Sequence, residues 1–206
     1  VVLTIAAAVL LALTATMTSA FTLAATTALI MGGTGHPLST PPETVGFVQQ
    51  YMATAVVNYI DPASTDAQAP DPTGIPGPVT NRVAVITPEQ FRFDTGLRDM
   101  KFDDSVAVGR QNLDNCIQAS DCVYNGEVGS APPASTDTFV VFGYSQSATI
   151  ATLEKRALAE QYPAGTGPDV SFVLIANPNR PNGGILERFE GAYIPILGVT
   201  ASGATL

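Results

Sequence analysis

Thr138-Phe-Val-Val-Phe-Gly-Tyr-Ser-Gln-Ser-Ala148 is the stretch that decides the fold. Its first five residues form a continuous run of β-branched and aromatic side chains, which is typical of a strand buried on both faces of a parallel sheet. Gly143 ends that run. From Ser147 to about Tyr162, apolar residues recur at three- and four-residue spacing, which predicts a helix. The pattern therefore predicts a buried strand, a tight turn and a helix in direct succession around Ser145.

Gly143-Tyr-Ser-Gln-Ser147 has the form of a nucleophile elbow, Gly-x-Ser-x-Gly, with serine in the last place. The small flanking residues allow a strained turn that raises the central hydroxyl above the sheet edge. The next N–H, at the start of the helix, then forms half of an oxyanion hole. The motif predicts Ser145 as a nucleophile and Gln146 as an oxyanion-hole donor. The alternative is an ordinary serine that caps the helix.

A glycine-rich loop offers the other half of such a hole. Thr26 to Met31 predicts a buried strand, which stops at Gly32-Gly-Thr-Gly-His-Pro37. In enzymes with this elbow, the second donor comes from the loop after an earlier strand, so we expect it from the backbone of residues 33–35, namely Gly33, Thr34 and Gly35. The alternative is that the glycines only close a tight turn. A phosphate-binding P-loop is not indicated, because no lysine follows the glycines.

The remaining segments alternate between helix and strand patterns. Thr40 to Glu43 has the form of a capping box and predicts a helix to about Tyr59. The later predictions are an exposed loop over 61–78, strands over 82–87 and 170–175, a helix over 103–119 capped by Asp104 or Ser105, and a short strand over 194–199. Strands that alternate with helices predict an α/β fold, with a mostly parallel sheet and helices on both faces.

Composition narrows the possible partners. The 206 residues carry a formal net charge of −9, so no basic surface is available to neutralise phosphates. Nucleic acid is therefore excluded as a partner, and neutral or apolar ligands are favoured. Two cysteines and one histidine are too few for a four-ligand metal site, and hydrolysis by a serine requires no cofactor.

The first charged residue is Glu43, and residues 1–20 are apolar or small. They predict an export signal cleaved before Phe21, and hence a secreted or cell-envelope setting. The alternative is a membrane anchor formed by residues 1–25, because a run of about 20 apolar residues can span a bilayer. Cys116 and Cys122 predict a local disulfide in an exported protein, with two free thiols as the alternative.

Several separated segments resemble the mycobacterial PE-PPE domain, a serine α/β-hydrolase family related in fold to cutinases and lipases. The similar segments are Gly33 to Pro37, Thr87 to Phe91, Ser105 with Val106, Gly109 to Leu113, Phe142 to Ala148, and Asn177 to Gly184. The resemblance implies an α/β-hydrolase-like domain over 21–206. It also implies a Ser145 nucleophile, action on short to medium acyl esters or lipids, and a secreted or envelope location.

The resemblance also implies a triad with the order Ser, Asp, His, in which the acid and the histidine follow the segment corresponding to Gly198 to Leu206. On that basis we expect the domain to be incomplete at its C-terminus and the chain alone to be inactive, because serine without a base is a weak nucleophile. His36 is the one histidine in the sequence and the only substitute base it offers. The alternative is a catalytically dead envelope protein that binds lipid or a partner.

Overall fold

The computed structural model describes residues 25–65, 75 and 77–206, and its centre is a parallel sheet. The four strands are paired in the order β2-β1-β3-β4, and all three pairings are parallel. Their bounds are β1, Thr26–Ile30; β2, Asn81–Ala84; β3, Thr138–Tyr144; and β4, Val170–Ile175. The predicted α/β fold with a mostly parallel sheet is confirmed.

Helices cover both faces of this sheet. Helix α1, Val45–Ala55, continues as a π-helical turn, Val56–Ile60, and then as α2, Asp61–Thr65. Two further helices follow in the chain: α3, Phe102–Ile117, and α4, Gln146–Gln161. Leu113 of α3 and Ile150 of α4 share one core with Leu29 and Val141. On the opposite face, α1 packs against alternate strand residues such as Ile30 and Val140. Both layers bury apolar side chains, which explains the continuous apolar runs of the strands.

The strand register brings two loops together at the carboxyl edge of the sheet. Ile30 pairs with Phe142, and the N–H of Met31 donates to the carbonyl of Phe142 at 3.1 Å. The loop after β1, residues 32–37, is therefore adjacent to the turn after β3. We call residues 32–37 the oxyanion loop, after the role that the sequence predicts for them. In parallel sheets, ligands bind beyond the carboxyl ends of the strands, so this edge is where a site is expected.

The predicted capping box at Thr40 is wrong, because helix α1 begins later. Its N-cap is Thr44, whose hydroxyl accepts a hydrogen bond from the N–H of Phe47 at 3.2 Å. The residues of the predicted box have other partners. Thr40 donates to the Glu127 carboxylate at 2.7 Å, and Glu43 contacts His36.

The predicted caps of α3, Asp104 and Ser105, are also wrong. The helix begins at Phe102, and its N-cap, Lys101, makes no side-chain cap. The Ser105 hydroxyl instead accepts a hydrogen bond from the N–H of Gln90 at 3.0 Å, which ties the helix to the preceding loop. At both helices, the predicted capping residues are used in contacts with other segments, although α1 is capped locally by Thr44.

Three other predicted boundaries are shifted. Residues 61–65 of the predicted loop are helical and form α2, and residues 66–74 and 76 lie outside the described part of the chain. Strand β2 ends at Ala84, and Val85 after it forms an isolated antiparallel bridge with Tyr124. In place of one strand over 194–199 there is an antiparallel hairpin, formed by β5, Tyr193–Ile194, and β6, Val199–Thr200.

A disulfide joins Cys116 to Cys122 at the C-terminal end of α3, with the two Cα atoms 4.4 Å apart. The predicted export signal or anchor, residues 1–20, lies outside the described residues. Within residues 25–65, 75 and 77–206, no helix combines the length and the apolarity needed to cross a bilayer. The same residues contain no cluster of three or more acidic, histidine or cysteine side chains that could hold a metal ion.

Candidate active site

Ser145 occupies a strained turn between β3 and α4. Its φ and ψ are 57° and −113°, in a region that non-glycine residues rarely adopt. Two backbone hydrogen bonds hold the turn: the N–H of Ser145 donates to the carbonyl of Ile175 at 3.0 Å, and its carbonyl accepts from Ala148 at 3.1 Å. A backbone conformation in such a region costs about 1–3 kcal/mol and is found most often at functional sites. The geometry is that of a nucleophile elbow.

The two small residues of the elbow have different functions. A Cβ at Gly143 would lie 2.7 Å from the carbonyl oxygen of Ser147, so only glycine fits there. The Ser147 hydroxyl accepts from the N–H of Tyr144 at 2.8 Å and donates to the Tyr144 carbonyl at 3.1 Å. Serine in the last position of the motif therefore closes the turn with two hydrogen bonds that glycine could not make.

Backbone donors from two loops lie at this turn. Gln146 is the first residue of α4, where N–H groups have no acceptor within the helix. Among the described residues, the N–H groups of Gly33 and Thr34 also have no acceptor. Gly33 approaches the elbow closely, since a Cβ there would lie 2.7 Å from the ring of Tyr144. The N–H of Gly35, by contrast, donates to the carbonyl of Glu89 at 2.7 Å and is already used.

The side chain of Gln146 connects both halves of this arrangement. It is buried, its Oε1 accepts a hydrogen bond from Thr34 Oγ1 at 3.0 Å, and its Nε2 donates to the Gln90 carbonyl at 3.0 Å and to Ser105 Oγ at 2.9 Å. The sequence pattern identified only the backbone of Gln146. Nothing in the spacing of residues so far apart indicates this side-chain contact.

His36 is paired with an acid but not with the serine. Its Nδ1 lies 2.8 Å from Glu43 Oε1, and its ring stacks on Phe47 with 5.4 Å between centroids. The side chain is 53% exposed. In the described part of the chain, no group forms a hydrogen bond with the Ser145 hydroxyl. The structure thus contains a histidine–carboxylate pair and a poised serine without a hydrogen bond between them.

Glu89 lies against the loop of the candidate site, and the sequence analysis did not identify it. It is fully buried and has a φ of 48°. Its Oε1 accepts a hydrogen bond from Thr87 Oγ1 at 2.7 Å, and its Oε2 has no partner. Burial raises the pKa of this carboxyl to about 8. In the sequence, Glu89 is an acidic residue in a loop that follows an apolar strand. Its spacing does not distinguish it from an acidic residue on the surface.

A small apolar cavity adjoins the elbow. Its volume is about 260 Å³, and its lining residues are mostly aromatic or aliphatic: Tyr51, Thr54, Ala55, Tyr59, Phe142, Tyr144 and Ile175. Tyr144 precedes Ser145, and Ile175 accepts the hydrogen bond from its N–H. The cavity is therefore next to the backbone that presents the serine. A larger apolar cavity of about 490 Å³ lies beside the β5–β6 hairpin.

Comparison with known proteins identifies one matching domain family and several similar mycobacterial proteins. The PE-PPE domain model matches residues 78–206. Esterase PE16 of Mycobacterium tuberculosis (strain ATCC 25618 / H37Rv) is 39% identical over 182 residues, 87% of this chain and 28% of its own length. PE family protein PE3 of the same strain is 40% identical over 182 residues, which cover 87% of this chain and 31% of that protein.

This chain therefore spans less than a third of the length of these curated relatives: 28% of Esterase PE16 and 31% of PE3. No solved structure matches it. The matched region includes the elbow around Ser145 and extends over more than half of the 206 residues. On that match, the chain belongs to the PE-PPE domain family.

Proposed function

We propose that this domain is a serine ester hydrolase that acts on acyl esters and has Ser145 as its nucleophile. The observation that carries the proposal is the strained elbow at Ser145, flanked by free N–H groups of the oxyanion loop and of the first turn of α4. One relative, 39% identical, is named an esterase, which supports the same reaction class.

The proposed reaction follows from this geometry. The Ser145 oxygen attacks the ester carbonyl carbon and loses its proton to a base, while the carbonyl oxygen becomes an oxyanion. The N–H groups of Gln146, Gly33 and Thr34, together with the positive end of α4, stabilise that charge. Collapse of the intermediate expels the alcohol and leaves an acyl-serine, which water then hydrolyses.

His36 is the base that the described residues offer. Glu43 holds its Nδ1 at 2.8 Å, as an acid does in a catalytic triad, and this leaves Nε2 for the proton. The family resemblance instead predicts an Asp and a His after Leu206 and no activity of these 206 residues by themselves, so it predicts the opposite result in the assays below. A second candidate function, a lipid-binding protein without catalysis, is supported by the apolar cavity beside the elbow and by the absence, among the described residues, of a hydrogen bond to the Ser145 hydroxyl.

The substrate class follows from the cavity beside the elbow. A volume of about 260 Å³ lined by aromatic and aliphatic groups suits an uncharged acyl chain of short to medium length. The formal charge of −9 likewise favours neutral esters or lipids. We further propose a secreted or envelope location, with residues 1–20 as the signal or anchor. The Cys116–Cys122 disulfide supports an oxidising compartment.

The test compares wild type with Ser145→Ala in two assays, hydrolysis of p-nitrophenyl acyl esters and stoichiometric release of p-nitrophenol from a p-nitrophenyl alkylphosphonate. Ser120→Ala, at an exposed serine after α3, is the matched control. We expect both reactions to be lost in Ser145→Ala and kept in Ser120→Ala. Equal background rates in all three proteins would contradict the proposal, and ester binding without reaction would support the lipid-binding alternative.

A further inference from the structure

Glu89 lies directly against the oxyanion loop. Its carbonyl accepts the N–H of Gly35 at 2.7 Å, a short hydrogen bond to the middle of that loop. Its φ of 48° is unfavourable for a residue with a Cβ, and such backbone persists only where its surroundings impose it. The position of the oxyanion loop therefore depends on how Glu89 is held.

The next residue links the same segment to the elbow. The carbonyl of Gln90 accepts a hydrogen bond from Gln146 Nε2 at 3.0 Å, while Gln146 Oε1 accepts from Thr34 Oγ1 at 3.0 Å. Glu89 thus contacts one half of the oxyanion hole, and Gln90 contacts the other. A shift of these two residues would change the distance between the two sets of donors.

The environment of the Glu89 carboxyl suits its neutral form. Thr87 contacts Oε1, and the buried Oε2 is unpartnered. The other ionisable groups around it are Tyr51 from α1, whose phenol donates to the Met31 carbonyl at 3.1 Å, and Asp99, which lines the same 560 Å³ cavity as Glu89. His36 in the oxyanion loop is bound to Glu43. None of these partners supplies a cation to the carboxyl, and burying an unpaired carboxylate is costly.

We propose that Glu89 is a positioning residue that holds the oxyanion loop as a neutral carboxylic acid, and that its ionisation releases the loop. The part that concerns catalysis rests on the proposed function. Ionisation would place an unpaired negative charge beside the donors that must stabilise an oxyanion, and it would draw water under the loop. Because burial raises the pKa of Glu89 to about 8, this change falls in the mildly alkaline range. Activity should then fall about tenfold per pH unit above the pKa, as for any form lost by one ionisation.

The test follows the loop and the reaction separately. The first measurement is hydrogen exchange of the Gly35 amide near pH 6 and pH 9, expressed as protection relative to intrinsic exchange. The second is p-nitrophenol release from the alkylphosphonate over the same range. We expect wild type to lose Gly35 protection and Ser145 reactivity together at alkaline pH. Glu89→Gln, which stays neutral, should keep both at pH 9, and Glu89→Ala should have a loosened loop at both values.

Several outcomes would overturn the proposal. Gly35 protection that is independent of pH in wild type would do so whatever the reactivity, and so would the same alkaline loss in Glu89→Gln as in wild type. The ¹³Cδ shift of Glu89 in labelled wild type measures its titration even if a variant fails to fold, and titration below about pH 6 would be too low for a buried neutral acid. If Gly35 protection follows Glu89 but the phosphonate never reacts, the positioning role stands and the proposed function fails.

Discussion

At the scale of single residues, the site depends on buried polar side chains that hold separate segments together. Gln146 is the clearest case, because both N–H groups of its amide and its carbonyl oxygen have partners on three different segments. An amide suits this place because it donates to the Gln90 carbonyl and accepts from Thr34 at the same time. No charged side chain of the same shape can do both.

The first prediction concerns this amide. Gln146→Glu is nearly isosteric and keeps the backbone N–H of the oxyanion hole, but its carboxylate would face the Gln90 carbonyl and leave that carbonyl without its side-chain donor. We expect destabilisation of about 1–3 kcal/mol, the usual cost of an unsatisfied buried group. We also expect a fall in kcat at little changed KM, because the two halves of the hole would move apart. Urea unfolding and ester kinetics measure the two effects.

The control for that prediction is Gln111→Glu, at an exposed glutamine on α3. It introduces the same charge at a place where water solvates it, so both measurements should remain close to wild type. Equal losses in the two variants would show that added negative charge, and not the contact between Thr34 and Gln90, is responsible.

The site residues that could be predicted from the sequence are those recognised from their immediate neighbours along the chain. Ser145 was predicted from five consecutive residues, and the structure places it in a strained turn between strand and helix. The side-chain contacts of Gln146 and the buried acid Glu89 were not predicted, because their partners are far away in the chain. Thr34 and Gln146, for instance, are 112 residues apart. Spacing rules describe neighbours along the chain, whereas these contacts depend on the register of the sheet.

At the scale of elements, helices α3 and α4 are joined by a partly buried ion pair. Arg110 Nη1 lies 3.1 Å from Glu154 Oε2, and the Glu154 side chain is only 1% exposed. Burial, the main cause, and Asp114 raise the pKa of Glu154 to about 7, although Arg110 lowers it. The folded state therefore binds this proton more tightly than the unfolded chain does. The contribution of Glu154 to stability decreases as the pH rises from 4.5 to about 7 and is constant above that.

The second prediction follows from the raised pKa of Glu154. Arg110→Met removes the cation and leaves Glu154 buried alone, so we expect a loss of about 1–3 kcal/mol at pH 8 and a smaller loss at pH 5, where the carboxyl is protonated. The free energy of unfolding in urea at both pH values measures this. Arg110→Met combined with Glu154→Gln should regain most of the loss at pH 8. A loss that is equal at both pH values would refute the role of the charge.

Element boundaries show the same division between local and distant causes. Strand β4 was predicted with its observed ends, Val170 and Ile175, because its apolar run is bounded by proline, glycine and polar residues. The capping residues of α1 and α3 were not predicted correctly. Ser105 resembles a cap in the sequence, but its hydroxyl accepts from Gln90 and Gln146. A polar side chain near a helix start can serve either purpose, and only the fold decides between them.

At the scale of the whole molecule, the parallel sheet is what assembles the site. The turn after β3 and the oxyanion loop after β1 meet because these strands are adjacent, although β2 lies between them in sequence. Helix α1 and the π-helical turn pack on one face, where they form the small cavity beside the elbow with β3 and β4. The cavity is therefore a product of the complete arrangement and has no signature in any one segment.

The final prediction uses that cavity. Ala55 is buried at the end of α1 and lines it. Ala55→Leu adds three carbon atoms to a space of about 260 Å³ and should exclude longer acyl chains while admitting acetate. In a series of p-nitrophenyl esters from acetate to octanoate, we expect kcat/KM to fall about 10- to 100-fold for the longer esters, in line with the value of about 1–3 kcal/mol for a methylene-sized misfit, and to change little for acetate.

Val57→Leu provides the matched control, because Val57 is 61% exposed on the adjoining π-helical turn and does not line the cavity. It adds bulk to the same helical segment without filling the space beside Ser145. If Ala55→Leu lowered kcat/KM equally for all esters, the change would reflect damage to α1. If it left the longer esters unaffected, the acyl chain would bind elsewhere. The 490 Å³ cavity beside the β5–β6 hairpin, which Leu186 lines, would then be the next place to introduce a blocking side chain.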